Sequence, residues 1–173
     1  MTNKELSRTI QEELKSAGIP RKAYSIRVTD AGFSTAINIK VKDISIRLAT
    51  FENIVNRHEH IRYDANNYEI LSGCNTFVSV QYEYDAIKAA SVPFMEQALK
   101  ITKNPPAKYN GVTIMEKGEK RLVFMFDGPS SINNSLVVFN DERCLTELGR
   151  YAAFNEHVIA NGMAIFNATG QFK

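Results

Sequence analysis

The sequence predicts an α+β fold built from a helix, antiparallel β-hairpins and further helices in two small packed lobes. Three observations point to it. Helical periodicity at the N-terminus gives way to strict two-residue alternation over residues 24–41, and the same switch from helix to strand recurs further along the chain. The stretch Lys103-Asn104-Pro105-Pro106 then parts a helical segment from a second hairpin and is the best linker in the sequence. It divides the chain into residues 1–103 and 108–173, with one continuous domain as the alternative. Composition agrees: 173 residues, 44% hydrophobic and 23% charged, suffice for a real core and exclude a disordered chain, a collagen-like repeat and a disulfide-dense mini-protein.

The opening helix spans residues 4–17. Leu6, Ile10 and Leu14 form one apolar stripe, Thr2 or Asn3 can cap the free amides, Gly18 stops the helix and Pro20 forbids its resumption. In the hairpin that follows, Tyr24, Ile26 and Val28 alternate with Ser25, Arg27 and Thr29. Asp30-Ala31-Gly32 makes the turn, and Ile37, Ile39 and Val41 alternate with Asn38, Lys40 and Lys42. One face of this hairpin must pack on a core; the other is polar and basic. Asp43 or Thr50 starts a second helix, buried through Leu48, Phe51, Ile54 and Val55 and ending near residues 57–60. Residues 62–69 are polar, with Asn66-Asn67 as a turn signal.

Residues 76–84 form the strongest strand, with Val78, Val80, Tyr82 and Tyr84 on one side and Phe77, Ser79, Gln81 and Glu83 on the other. Asp85 caps a third helix that restarts at Ser91-Val92-Pro93, where proline suits a first turn. Val112 and Ile114 lead into a turn at 116–119, and Leu122, Phe124 and Phe126 lead back. Residues 127–134 are a loop and 136–139 a short apolar strand. Asp141 caps a long final helix with Leu145, Leu148, Ala152, Val158 and Ile159 inward and Gly149 as its weak point. Gly162 ends that helix. Residues 163–166 add an apolar turn that, with Phe172, packs internally or against a second copy.

Net charge is +2, too small for a general polyanion binder, but it is segregated. Residues 1–48 carry nine Lys/Arg against five Asp/Glu, residues 49–99 three against seven, and residues 100–126 six against two. A DNA mimic, which needs acidic surface throughout, is excluded. No run approaches the roughly 20 apolar residues of a membrane span. The polar N-terminus lacks the apolar core of a signal peptide, so a cytoplasmic location is expected, with Cys74 and Cys144 reduced and packed.

His58-Glu59-His60, followed by Arg62 and Asp64, is the densest set of chemical side chains. In an extended segment the two histidines share a face and can move a proton or hold a metal. In a helix they diverge by about 200°, and a helix end favours histidine through the dipole alone. No third ligand stands at a metal spacing, so neither metal nor cofactor is expected. Cys74, in Ser72-Gly73-Cys74-Asn75-Thr76, reads as a small packed residue entering a strand, and Cys144 as core. Glu83 and Asp85 have the spacing of a Mg²⁺ pair, although capping a helix is a sufficient role for Asp85. Phosphate loops, dinucleotide turns, HExxH and GxSxG are missing. The basic hairpin face is the stronger candidate. Arg21, Lys22, Arg27, Lys40 and Lys42 on its exposed side, and Lys100, Lys103 and Lys108 as a second basic stretch, are residue types that contact phosphate. Aromatic platforms for unpaired bases would strengthen this reading, but the hairpin offers mainly Phe33 at its turn, and a plain solvated polar face is the default alternative.

The opening helix, the strand Tyr24-Ser25-Ile26-Arg27-Val28, the glycine turn before Ile37-Asn38-Ile39-Lys40-Val41, the helix at 51–55 and the run from Ile70 through Ser72-Gly73-Cys74 to Tyr84 carry a resemblance over residues 1–88. This half of the chain resembles one of the large-polyvalent-protein-associated domains of phage, plasmid and integrative elements. The resemblance implies a mobile-element protein similar to the small products of anti-defence gene clusters. It implies an inhibitor of a host defence nuclease, an anti-CRISPR protein that binds a type II effector or its guide RNA. A stoichiometric binder is expected in preference to an enzyme. The alternatives are an enzyme that cleaves guide RNA, using His58, Glu59 and His60 with Asp64 or His157 as helpers, and a non-inhibitory accessory module of element transfer. Residues 105–173 carry no resemblance.

Overall fold

In a computed structural model, which describes residues 2–128, 131, 133–140, 143–148 and 155–170, the first helix α1 (Asn3–Ser16) starts where the sequence supplies its cap. The Thr2 hydroxyl accepts from the Glu5 amide, and the Glu5 carboxylate accepts from the Thr2 amide at 2.7 Å, a reciprocal capping box. Ile10 and Leu14 are fully buried. A short 3-10 turn, Arg21–Ala23, leads into β1 (Tyr24–Ala31) and β2 (Ser34–Val41), which pair antiparallel. Their turn is Gly32-Phe33. Gly32 has φ +62°, the value a type II′ turn requires of its first central residue and one a glycine adopts without penalty.

α2 (Leu48–Val55) follows, with Arg47 at its N-cap. Asp43 instead closes the preceding turn, accepting from the Ser45 amide and hydroxyl, and Thr50 lies inside the helix. After a 3-10 turn at Asn56–His58, the chain reaches β3 (Thr76–Tyr82), which pairs parallel to β2 in the sheet order β1-β2-β3. α1 packs on β1, α2 on β3 and the two helices on each other, all on one face. That face is the core. Ile37, Ile39, Val41 and Phe51 are fully buried, and the rings of Tyr24 and Phe51 meet edge to face at 5.7 Å.

Contacts divide the chain into two units, Met1–Glu83 and Tyr84–Lys173. The parting falls before α3 (Tyr84–Ser91) and not at Pro105-Pro106. α3 and α4 (Met95–Lys103), joined by a 3-10 turn at Val92–Phe94 that holds the expected Pro93 in its first turn, pack on α5 (Glu156–Thr169). Tyr84, expected on the strand, begins α3 and is 70% exposed. The rest of this unit is an antiparallel meander of β4 (Gly111–Lys117), β5 (Lys120–Met125), β6 (Ser135–Asn140) and β7 (Arg143–Leu148).

β7 replaces the first half of the expected final helix. Leu136 to Val138 of β6 are buried, and β7 supplies that strand with ladder partners, Leu148 opposite Leu136 and Thr146 opposite Val138. The helix proper, α5 (Glu156–Thr169), has Asn155 as N-cap, accepting from the Val158 amide at 2.9 Å. It runs through Gly162 and ends at Gly170, whose φ is +69°. α5 packs against α3, α4 and β5, with Ile159, Met163, Ile165 and Phe166 all buried. The apolar turn at 163–166 therefore packs internally. Asp141, Gly149, Ala152 and Phe172 lie outside the described residues, as do the side chains of Cys144, Leu145 and Leu148. Among the described residues, no helix is long and apolar enough to cross a membrane.

Candidate nucleic-acid interface

The three-stranded sheet has a second face that the helices leave open. Strand alternation and register place its side chains in three rows: Thr29, Ala36 and Phe77; Arg27, Asn38 and Ser79; Ser25, Lys40 and Gln81. Rows lie about 6.7 Å apart and strands about 4.8 Å apart. Arg27, Lys40, Ser79 and Gln81 are exposed. Ser25, Arg27, Thr29, Asn38, Lys40 and Gln81 share one shallow cavity of about 430 Å³. Among the described residues lining it there is no carboxylate. Asp30, of opposite parity, turns toward α1 and accepts from the Asn3 side-chain amide at 2.8 Å. The cavity thus offers two cations amid hydroxyl and amide groups, the set that binds phosphate oxygens.

The basic residues expected on this face are not all on it. Arg27 and Lys40 share it. Lys42 follows β2 with the parity of Lys40 and is exposed, next to the ladder end where Glu83 follows β3. Lys22 is exposed in the 3-10 turn ahead of β1. Arg21 is committed to the helix side: its guanidinium donates to the Gln11 side chain and the Tyr24 carbonyl and stacks 5.0 Å from the Tyr24 ring centroid. It lines a different cavity with Arg8, Glu12 and Lys15. Lys100, Lys103 and Lys108 belong to the second unit. Lys100 pairs with Glu96 at 2.7 Å, Lys103 lies in the last turn of α4, and Lys108 lies 4.7 Å from the centroid of the Tyr109 ring.

The histidine cluster does not converge. His58 ends the 3-10 turn, and its Nε2 meets Glu13 Oε2 of α1 at 2.9 Å, with the two side chains 16% and 32% exposed. Glu59 accepts from the Val78 amide at the sheet edge. His60 is exposed, and its backbone forms a two-bond bridge with Thr76. Asp64 closes a turn by accepting from the amides of Asn66 and Asn67. His157 lies in the first turn of α5, in the second unit. Among the described residues no cluster of His, Cys, Asp and Glu has metal-binding geometry. Cys74 is exposed, contrary to the packed position expected of it. Gly73 and Cys74 both take left-handed backbone, φ +81° and +55°, which lets the Cys74 amide donate to the Phe33 carbonyl at 2.7 Å and ties this loop to the hairpin turn.

The second unit has a cavity of about 430 Å³ lined by Tyr109, Met125, Phe126, Asp127, Asn133 and Ser135. The Ser131 hydroxyl and the Asn133 amide hold the Asp127 carboxyl below the usual range, with Lys108 adding to the effect.

Phe77, Asn38, Ser25 and Gln81 also belong to the open face, and no charge or motif marks them as site residues in the sequence. The alternation of β3 grouped Phe77 with Ser79 and Gln81, but only the parallel pairing with β2 sets that group beside Arg27 and Lys40. The chain matches no family model, and neither a curated protein nor a solved structure matches it.

Proposed function

We propose that this protein is a mobile-element-encoded inhibitor of a host defence nuclease, a CRISPR effector, and that it acts as a binder by laying the open sheet face of its first unit against the phosphates of the guide RNA. The observation that carries this reading is the grouping of Arg27 and Lys40 with hydroxyl and amide side chains in one shallow cavity whose described lining lacks a carboxylate. The resemblance of residues 1–88 adds the mobile-element context, and the first unit, Met1–Glu83, covers most of that segment. His58 speaks for a structural role, because its imidazole is engaged by Glu13.

The test is guide-directed DNA cleavage by a type II effector, titrated with this protein and followed on a denaturing gel that also displays the RNA. Inhibition near one equivalent with intact guide, relieved by R27E/K40E, is the expected result. Shortened guide at substoichiometric protein would replace this reading with that of an RNA-cleaving enzyme. Undiminished cleavage at excess protein would overturn the type II assignment and favour an accessory module. Inhibition that survives R27E/K40E would remove the sheet face from it.

A further inference from the structure

The turn end of the three-stranded sheet carries a rim of exposed aromatic side chains. Phe33 is 92% exposed at the β1–β2 turn, and Tyr63 and Tyr68 are 53% and 80% exposed in the loop before β3, with Ile70 half exposed beside them. This exposure is built in. The Cys74 amide fixes the Phe33 carbonyl at 2.7 Å, Tyr63 and Ile70 form a backbone bridge, and the His60–Thr76 bridge anchors the loop to the edge of β3. Tyr68 is held at φ +58°, a conformation unfavourable for a bulky side chain. Large aromatics kept in water on an ordered scaffold mark a contact surface.

The charge around them indicates the occupant. Phe77 stands in the first row of the sheet face, one row from Arg27 and two from Lys40, so the three rows span about 13 Å. Asp64 is spent on its own turn and Glu59 on the Val78 amide. Glu69 leaves a carboxylate and Arg62 a guanidinium exposed in the loop, so the loop is near neutral, the sheet cavity supplies cations without a carboxylate among its described lining residues and the rim supplies ring faces. Cations on the sheet, with exposed ring faces at its turn end, suit a chain that is polyanionic and carries unstacked bases. A duplex keeps its bases stacked inside and offers nothing to Phe33.

We infer that the rim stacks unpaired bases, with Phe33 as its main platform, so that the protein selects single-stranded nucleic acid over duplex. This inference rests on the reading of the sheet face as a phosphate surface. The probes are a fluorescent single-stranded oligouridylate and oligoadenylate and an RNA duplex of equal length, measured by anisotropy with the full chain at two salt concentrations. Phe33→Ala should weaken single-strand binding about 5- to 100-fold and leave duplex binding unchanged. Phe33→Trp should restore it and Phe33→Leu should not. At 92% exposure the substitution leaves the core intact, which circular dichroism verifies.

If R27E/K40E abolishes binding while Phe33→Ala and Tyr68→Ala leave it unchanged, the stacking inference falls and the phosphate surface stands. Equal affinity for single strand and duplex would also overturn it. Failure of the wild-type protein to bind any of the three probes would remove both. Conversion of a wild-type dimer to monomer by Phe33→Ala in sedimentation, with RNA binding intact, would assign the rim to a second copy of the chain.

Discussion

Removing the His58 imidazole separates a structural histidine from a catalytic one. The His58–Glu13 contact joins the turn after α2 to α1, and its 2.9 Å separation is that of a good hydrogen bond. A hydrogen bond to a charged group contributes about 1.5–3 kcal/mol when covered, and an exposed ion pair about 0.2–1. With side-chain exposures of 16% and 32%, this pair falls between, and His58→Ala should cost about 1–2 kcal/mol. For a unit of this size that lowers Tm by about 5–15 °C. Thermal unfolding followed by circular dichroism at pH 7 measures it, with Glu13→Gln and the double variant completing a cycle whose coupling energy isolates the pair. Wild-type Tm in His58→Ala, or a coupling energy of zero, would refute the reasoning. A variant that keeps its Tm but loses inhibition would return His58 to the catalytic role.

Charge reversal on the sheet face should change the salt dependence of RNA binding as well as the affinity. If Arg27 and Lys40 each neutralise one phosphate of a single strand, R27E/K40E should reduce the slope of log K against log salt by about 1.4, and an unchanged slope would place the contact elsewhere. Phe51→Ala removes a fully buried ring and its edge-to-face contact with Tyr24; a loss of about 3–5 kcal/mol is expected in urea unfolding, a large share of any domain's stability. Burial pushes the Tyr82 phenol up to about 12 from its ordinary 10.0, while its hydroxyl donates to the Ile46 carbonyl at 3.1 Å. Because the folded state holds this proton more tightly, the stabilisation is complete below pH 10 and is lost as pH rises toward 12. At about 1.4 kcal/mol per pKa unit, reduced for partial solvent access, the loss is about 2 kcal/mol. Stability measured at pH 9 and pH 11.5 should fall in the wild type and fall less in Tyr82→Phe. Asn155→Ala deletes the cap of α5 and should cost about 1 kcal/mol in the same unfolding assay.

Much of this fold is legible locally. The Thr2 cap, the alternation of β1 and β2, the stripe of α2 and the restart at Pro93 are each written within a few residues, because capping, pleating and proline geometry act at that range. Two features are not. Leu145 and Leu148 stand three apart, a spacing that suits a helix face, and their strand state depends on β6 needing a partner. The parallel pairing of β2 and β3 joins segments separated by α2 and the loop before β3, and no local signal names the partner strand. For the candidate site the consequence is specific. Arg27, Lys40 and Phe33 could be read from the hairpin alone, but the place of Phe77 beside them, and the departure of Arg21 to the helix side, required the sheet.

The enclosure of α5 also bears on how the protein is made. This helix is the last described element, yet it supplies the centre of the second unit, where α3, α4 and β5 meet it. A ribosome delivers about 5–20 residues each second. The first unit has all its elements by Tyr82, whereas β5, α3 and α4 emerge before the helix that packs on them has been synthesised. For several seconds the nascent chain therefore carries a finished three-stranded sheet ahead of an unfinished meander. Chaperone demand should concentrate on that second half, and the first half can complete its own core without waiting for it.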